Sequence, residues 1–241
     1  MRRLTGPVGK GIHRIVWDLR YPAVEPVMPE AAGPREDFGG PPQGPLVVPG
    51  TFTVLLAKRV EGVVTSVGEP QKFSLESLGL ASLPENDKGA LLDFQNKAGE
   101  LQRAMMGAGS AAQEAVKSLR YMKKALLDTP KADPALGDRS RALEKRLQEA
   151  MRLLFGDSTV QRRSEPATPS LMERIGSQLS TTCPITETVK RDYEIAADGF
   201  EKLLENLRLI VEEDLKKLGD ELEAAGAPWT PGRGVPRWKK N

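Results

Sequence analysis

The chain has a single cysteine, Cys183, and a single histidine, His13, in 241 residues. One cysteine excludes an internal disulfide framework and any cysteine-built zinc site. One imidazole leaves little room for histidine-based catalysis. Aromatic residues are scarce, at six Phe, three Trp and three Tyr, and apolar residues reach only 39%. Such a composition builds small cores, not one deep core. No run of about 18 apolar residues occurs, so no segment reads as a membrane span. Charge of one sign is missing too, because 35 Lys and Arg face 33 Asp and Glu for a net of +2. Only residues 229–241 are biased, with Arg233, Arg237, Lys239 and Lys240 and no acid. Nucleic-acid binding needs a broader basic face, so no nucleic-acid partner is expected and this end reads as solvated. Met1-Arg2-Arg3 has the look of a signal n-region, but no apolar stretch follows in Leu4–Gly11. This start is therefore not expected to act as a signal peptide.

Glycine (23) and proline (19) are plentiful and gather near the two ends. Their placement divides the chain near residue 80. Residues 1–80 read as β. Ile12–Trp17 and Thr51–Ala57 are β-branched or aromatic runs, the second launched by the turn dipeptide Pro49-Gly50. Val63–Val67 and Gln71–Leu75 read as weaker strands. Between the first two lies a Pro/Gly-rich loop at 22–45. Proline fixes φ and removes donors, so this loop joins no ladder. A loop so long is either an arm laid over a neighbouring surface or a disordered stretch.

Residues 81–226 read as helix. Ser82-Leu83-Pro84-Glu85 is a capping-box pattern opening a stripe at Leu91, Phe94, Ala98, Leu101 and Met105. Gly107-Ala108-Gly109 is expected to break it, and a second helix follows with Ala112, Val116, Leu119, Met122 and Leu126. Asp133-Pro134 starts a third, with Leu136, Leu143, Leu147, Met151 and Leu154. A short helix carries Leu171, Ile175 and Leu179. The last begins near Thr186; its stretch from Val189 to Ala225 spans on the order of 55 Å, with Gly199 and Gly219 as expected bends. Buried stripes and short connections imply an antiparallel helical bundle. Residues 227–241 form a basic Trp/Pro/Gly-rich tail. The fold class is thus α+β in two segregated parts.

Little in the sequence has the pattern of a catalytic site. His13 sits beside Arg14 and is expected to face solvent, and Cys183 precedes Pro184 with no second histidine to activate it. Glu212-Glu213-Asp214 and Asp220-Glu221 alternate with Lys216 and Lys217 on the longest helix and read as a solvated face. Gly6–Gly11 holds a Gly-Lys pair without phosphate-loop spacing. Met105-Met106 reads as core filling. No catalytic residue, metal site or cofactor is expected. Trp229 and Trp238 are expected to dock back on the bundle. Together with Arg233, Arg237, Lys239 and Lys240 they are also the candidate contact for a partner protein.

The β half carries a resemblance. Gly11-Ile12-His13-Arg14-Ile15-Val16-Trp17-Asp18-Leu19-Arg20-Tyr21-Pro22, a Gly/Pro-rich insert, and then Gly44-Pro45-Leu46-Val47-Val48-Pro49-Gly50-Thr51-Phe52-Thr53-Val54 form its pattern. This resembles the C-terminal region of large secreted bacterial proteins with BNR/Asp-box, sortilin- or sialidase-like β-propellers. There, a Gly-x-x-Arg-φ-x-Trp-Asp-Leu-Arg-Tyr motif (φ apolar) and a Pro-Gly-Thr-Tyr-Thr-Val motif mark an immunoglobulin-like module, with a helical segment after it. Phe52 stands where that family has Tyr. The resemblance implies that Trp17, Asp18, Arg20, Tyr21, Pro49, Gly50 and Phe52 are a structural signature. Residue chemistry agrees: Trp17 can plug a sandwich core, Asp18 can cap backbone amides, and Pro49-Gly50 can turn the chain.

The function implied is a non-catalytic accessory module in a secreted or periplasmic parent, packed against its upstream propeller or another protein. An immunoglobulin-like sandwich needs about seven strands. Only about four are visible, so the sandwich is expected to be incomplete and the chain to be a C-terminal fragment of a longer protein. An alternative makes it a fragment of a BNR-type glycoside hydrolase, with Glu25, Glu30, Glu36 or Asp37 of the 22–45 loop reaching the propeller site. A third reading is a helical adaptor that binds acidic partners through its basic tail.

Overall fold

The structure is a computed structural model, and it describes residues 1–24, 26, 43–79, 85–163, 167–176 and 184–236. Strands and helices are segregated, as the composition shift near residue 80 implies. Strands β1 (Gly50–Val54), β2 (Ala57–Val60), β3 (Val63–Ser66) and β4 (Gln71–Leu75) precede helices α1 (Glu85–Leu127), α2 (Pro134–Phe155), α3 (Ser158–Arg162), α4 (Leu171–Gly176), α5 (Glu187–Arg208) and α6 (Leu215–Ala224). A π turn, Leu209–Asp214, joins α5 to α6.

The strands form one long hairpin with two ladders in succession. Ala57 to Val60 pair antiparallel with Ser66 to Val63, and Gly50 to Val54 pair with Leu75 to Gln71. Between the ladders, Leu55-Leu56 faces the longer run Val67-Gly68-Glu69-Pro70. Gly68 has φ +72° and Pro70 has no N–H, so the ladder cannot run through. The Val67 amide still reaches the Leu56 carbonyl at 2.8 Å. Ile12–Trp17, expected to be a strand, is not one. Among the described residues the nearest β-bridge lies just beyond its end, at Arg20↔Leu46. A β-prone run without a ladder partner has nowhere to place its backbone hydrogen bonds except water.

Helix α1 runs unbroken for 43 residues, about 65 Å, and corrects the expected break at Gly107-Ala108-Gly109. Its stripe explains why. Leu91, Ala98, Met105, Ala112 and Leu119 recur every seven residues, and so do Phe94, Leu101, Ala108, Ala115 and Met122. Both series cross the glycines without losing phase. Gly109 is a notch: a Cβ there would strike the ring tip of Phe155 from α2. Gly99 serves in the same way for Val24.

Helix α2 starts where expected. The Asp133 carboxylate accepts from the Ala135 amide at 2.9 Å, and Pro134 occupies the first turn. Asp133→Ala should lower stability by about 1 kcal/mol, read as the denaturant midpoint of the full chain. The capping box of α1 and Leu179 fall outside the described residues. A real capping box opens α4 instead, with the Ser170 amide donating to Glu173 Oε2 (2.7 Å) and the Glu173 amide donating to Ser170 Oγ (3.2 Å).

Helix α2 is antiparallel to α1, as Lys123–Glu144 and Gly109–Phe155 require, and antiparallel to α5–α6, as Arg146–Asp214 and Arg139–Glu221 require. Phe94 meets Tyr193, and Met122 meets Gly219. Helix α1 and the last helix therefore run side by side in the same direction, so the bundle is only partly antiparallel. The connection through α3 and α4 makes this possible by carrying the chain back to the starting end. Helix α4 fills the space beyond the end of α2, with Ile175 fully buried and Arg174 paired to Asp192 at 2.5 Å.

The last helix runs unbroken through both Gly199 and Gly219. Gly199 admits the Leu171 side chain, and Gly219 lies against Met122 and Arg233. The irregularity is the π turn. Buried residues advance by three or four through Ala196, Phe200, Leu203, Leu207 and Ile210, then by five to Leu215, and again by three or four to Leu218 and Leu222. A π turn takes up one extra residue. It turns Leu215 inward and leaves Asp214 to pair with Arg146, which also donates to Asn206 Oδ1 at 2.7 Å.

Candidate interaction surface

The signature residues of the β half come together around the base of the 22–45 loop. Trp17 packs edge-on to Phe52 and Phe73, with ring centroids 5.4 and 6.2 Å away, and Phe52 stacks on Phe73 at 5.8 Å. The Trp17 indole donates to the Arg20 carbonyl at 3.0 Å. Asp18 accepts from the Arg20 amide (3.2 Å) and from Arg2 Nη1 (2.7 Å), which lets Leu19 turn through φ +55°. Arg20 Nη1 donates to the Gly44 carbonyl, and the Tyr21 amide to the Pro45 carbonyl. Gly44 allows this approach, because a Cβ there would collide with the Tyr21 carbonyl. Arg20-Tyr21 and Gly44-Pro45 thus clasp the two ends of the loop. Pro49 and Gly50 lead directly into β1.

The arm formed by β1–β4 has no core of its own. Register puts Phe52, Val54, Phe73 and Leu75 on one face of the first ladder and Thr51, Thr53, Lys72 and Ser74 on the other. Trp17 covers part of the apolar face. Toward the hairpin tip the side chains lie open: Leu55 is 60% exposed, Leu56 65%, Val63 66% and Val64 55%. Among the described residues no strand packs against a helix. The β half is held to α1 at its margins. Arg103 Nε donates to the Val24 carbonyl at 2.8 Å, and Lys88 Nζ to Ser77 Oγ at 2.8 Å. Sequence reading missed this exposure. Its signal was a hairpin whose faces, such as Arg59 with Val64, mix charge and β-branched residues instead of alternating.

The tail is only partly where the sequence put it. Trp229 is half exposed, with its indole donating to the Gly234 carbonyl at 2.8 Å. Arg233 donates to the Pro228 carbonyl and lays its stem against Gly219, so it is not a free charge. Arg237, Trp238, Lys239 and Lys240 lie outside the described residues. So do the loop acids Glu25, Glu30, Glu36 and Asp37, and Cys183.

Among the described residues no titratable groups converge near the arm. His13 is exposed, with Nε2 2.7 Å from the Gly9 carbonyl. Glu212 and Glu213 are exposed, and Glu221 is paired with Arg139 across helices. Met105 is fully buried and fills the core. The Arg152 guanidinium bonded to Glu149 holds that carboxyl below its usual value, and the Thr159 amide does the same for Asp157. Burial pushes the Tyr193 hydroxyl up, with nearby Glu100 adding to it. Glu149, Asp157 and Tyr193 all belong to the helical half. Among the described residues no three His, Cys, Asp or Glu are grouped to hold a metal, and no helix is long and apolar enough to cross a membrane. Compared with known protein families, curated proteins and solved structures, the chain matches none.

Proposed function

We propose that the chain is a non-catalytic interaction module in which the helical bundle is the folded support and the β arm is the docking element. The observation that carries this reading is the contrast between the two halves. The bundle stripe is buried or half-buried along its length, whereas Leu55, Leu56, Val63 and Val64 stand open on the arm. Large apolar side chains left exposed together on an arm without a core are characteristic of contact with another molecule. The motif resemblance names the kind of molecule. The arm, with the Trp17/Phe52/Phe73 cluster at its root, is an immunoglobulin-like strand pair completed by packing on a β-propeller in a secreted or periplasmic bacterial protein.

Two charges placed on the arm separate docking from folding. Leu55→Asp with Val64→Asp should leave the melting temperature of the chain within about 2 °C, because neither site adds to the bundle core. The same pair should abolish photo-crosslinking, in the native host, from a reactive residue at position 63 to the propeller protein. Crosslinks confined to the chain's own helices, or glycoside turnover by the purified chain, would overturn the reading.

A further inference from the structure

We propose that the turn Pro228–Gly234 is a detachable strap, held over the seam between α1 and α6 so weakly that it opens without unfolding the bundle. Helix α6 closes at Gly226 (φ +76°), and the Ala227 amide bonds to the Leu222 carbonyl at 2.9 Å, which turns the chain back across the bundle. From there the strap lies on the helices through packing. Gly232 rests on Ser118 of α1, where a Cβ would strike the hydroxyl, and the Arg233 stem rests on Gly219 of α6. Its hydrogen bonds among the described residues are internal. The Trp229 indole bonds to Gly234, the Arg233 guanidinium to Pro228, and the Arg233 amide to the Thr230 carbonyl at 3.3 Å.

Docking leaves two polar atoms stranded. Thr230 is only 7% exposed, and its Oγ1 has no partner, and the same holds for the buried Nε of Arg233. Both atoms are hydrated when the strap is off and neither is bonded when it is on, so each opposes docking. None of these bonds reaches the helices, so none of them holds the strap closed. Closed and open states therefore lie close in free energy. Opening uncovers Ser118 and Gly219, a local transition of the low-stability kind. This inference is independent of the role given to the β arm.

Nuclear magnetic resonance on the full chain tests it at the Arg233 amide and at the backbone amides of α6. Thr230→Val removes a stranded hydroxyl at constant shape and should slow exchange at Arg233 about tenfold. Gly232→Val, placed at φ +89° against Ser118, should release the strap. Exchange at Arg233 then reaches the unprotected rate while Leu218–Leu222 keep theirs. Faster exchange in Thr230→Val would show that the hydroxyl is satisfied and overturn the proposal. Loss of protection throughout α6 in Gly232→Val would do so too, by making the strap part of the fold.

Discussion

Removing Lys145 from the middle of α2 is expected to unfold the bundle, and removing Glu213 from the π turn is expected to leave it folded. Each deletion rotates everything on one side by about 100° relative to the other. In α2 the buried residues are Leu136, Ser140 and Leu143 before the deletion, and Leu147, Ala150 and Leu154 after it. Half of that stripe would turn toward water. A buried leucine lost from a core costs about 2–5 kcal/mol, so losing one half exceeds much of a stability of about 5–15 kcal/mol. The π turn already contains the residue that a regular helix would omit. Without Glu213 the step from Ile210 to the residue now numbered Leu215 becomes four, and the stripe continues in ordinary α-helix. Circular dichroism melts of the two variants should differ by tens of degrees, with the Glu213 deletion within about 5 °C of the parent. Equal damage from both would mean that the π turn does not correct the phase.

Two glycines two residues apart should respond in opposite directions. Gly107 is exposed, has no neighbour within 4 Å of a built Cβ, and lies mid-helix. Alanine there should add up to about 1 kcal/mol by helix propensity alone. Gly109 is buried under the Phe155 ring. Gly109→Leu should cost about 2–3 kcal/mol by forcing α2 away from α1. Denaturant titration gives both numbers with one slope, because neither change alters the area exposed on unfolding. Stabilisation by both would contradict the notch.

The same pair shows what was legible in the sequence and what was not. Gly107-Ala108-Gly109 looks like a break when propensity is weighed locally, yet the seven-residue spacing from Met105 to Ala112 and from Leu101 to Ala115 passes straight through it. Packing overrides propensity where a close approach needs a small residue. The five-residue step from Ile210 to Leu215 was present in the sequence too, hidden because Leu215 follows an acidic run. The starts of α2 at Asp133 and of α5 near Thr186, whose Oγ1 accepts from the Val189 amide at 3.3 Å, were readable because the capping side chain is next to the first turn in sequence. The fourth strand, Gln71–Leu75, was readable for its β-prone residues, but Ile12–Trp17 was not, because strand formation needs a partner that propensity does not supply. For the candidate surface, the signature at Trp17, Asp18, Arg20 and Tyr21 was visible as a motif. Its clasp on Gly44-Pro45 was not, since it joins residues on opposite sides of a long loop.

Hydrogen exchange measured by mass spectrometry across the whole chain tests the division between a cored bundle and an uncovered arm most directly. The account predicts that peptides covering Gly50–Leu75 exchange at least about a hundredfold faster than those covering Met105–Leu119, Leu143–Leu154 and Leu203–Leu222. Arm amides protected as strongly as the bundle's would contradict it, because they would require a core in the β half that the exposed Leu55, Leu56, Val63 and Val64 do not form.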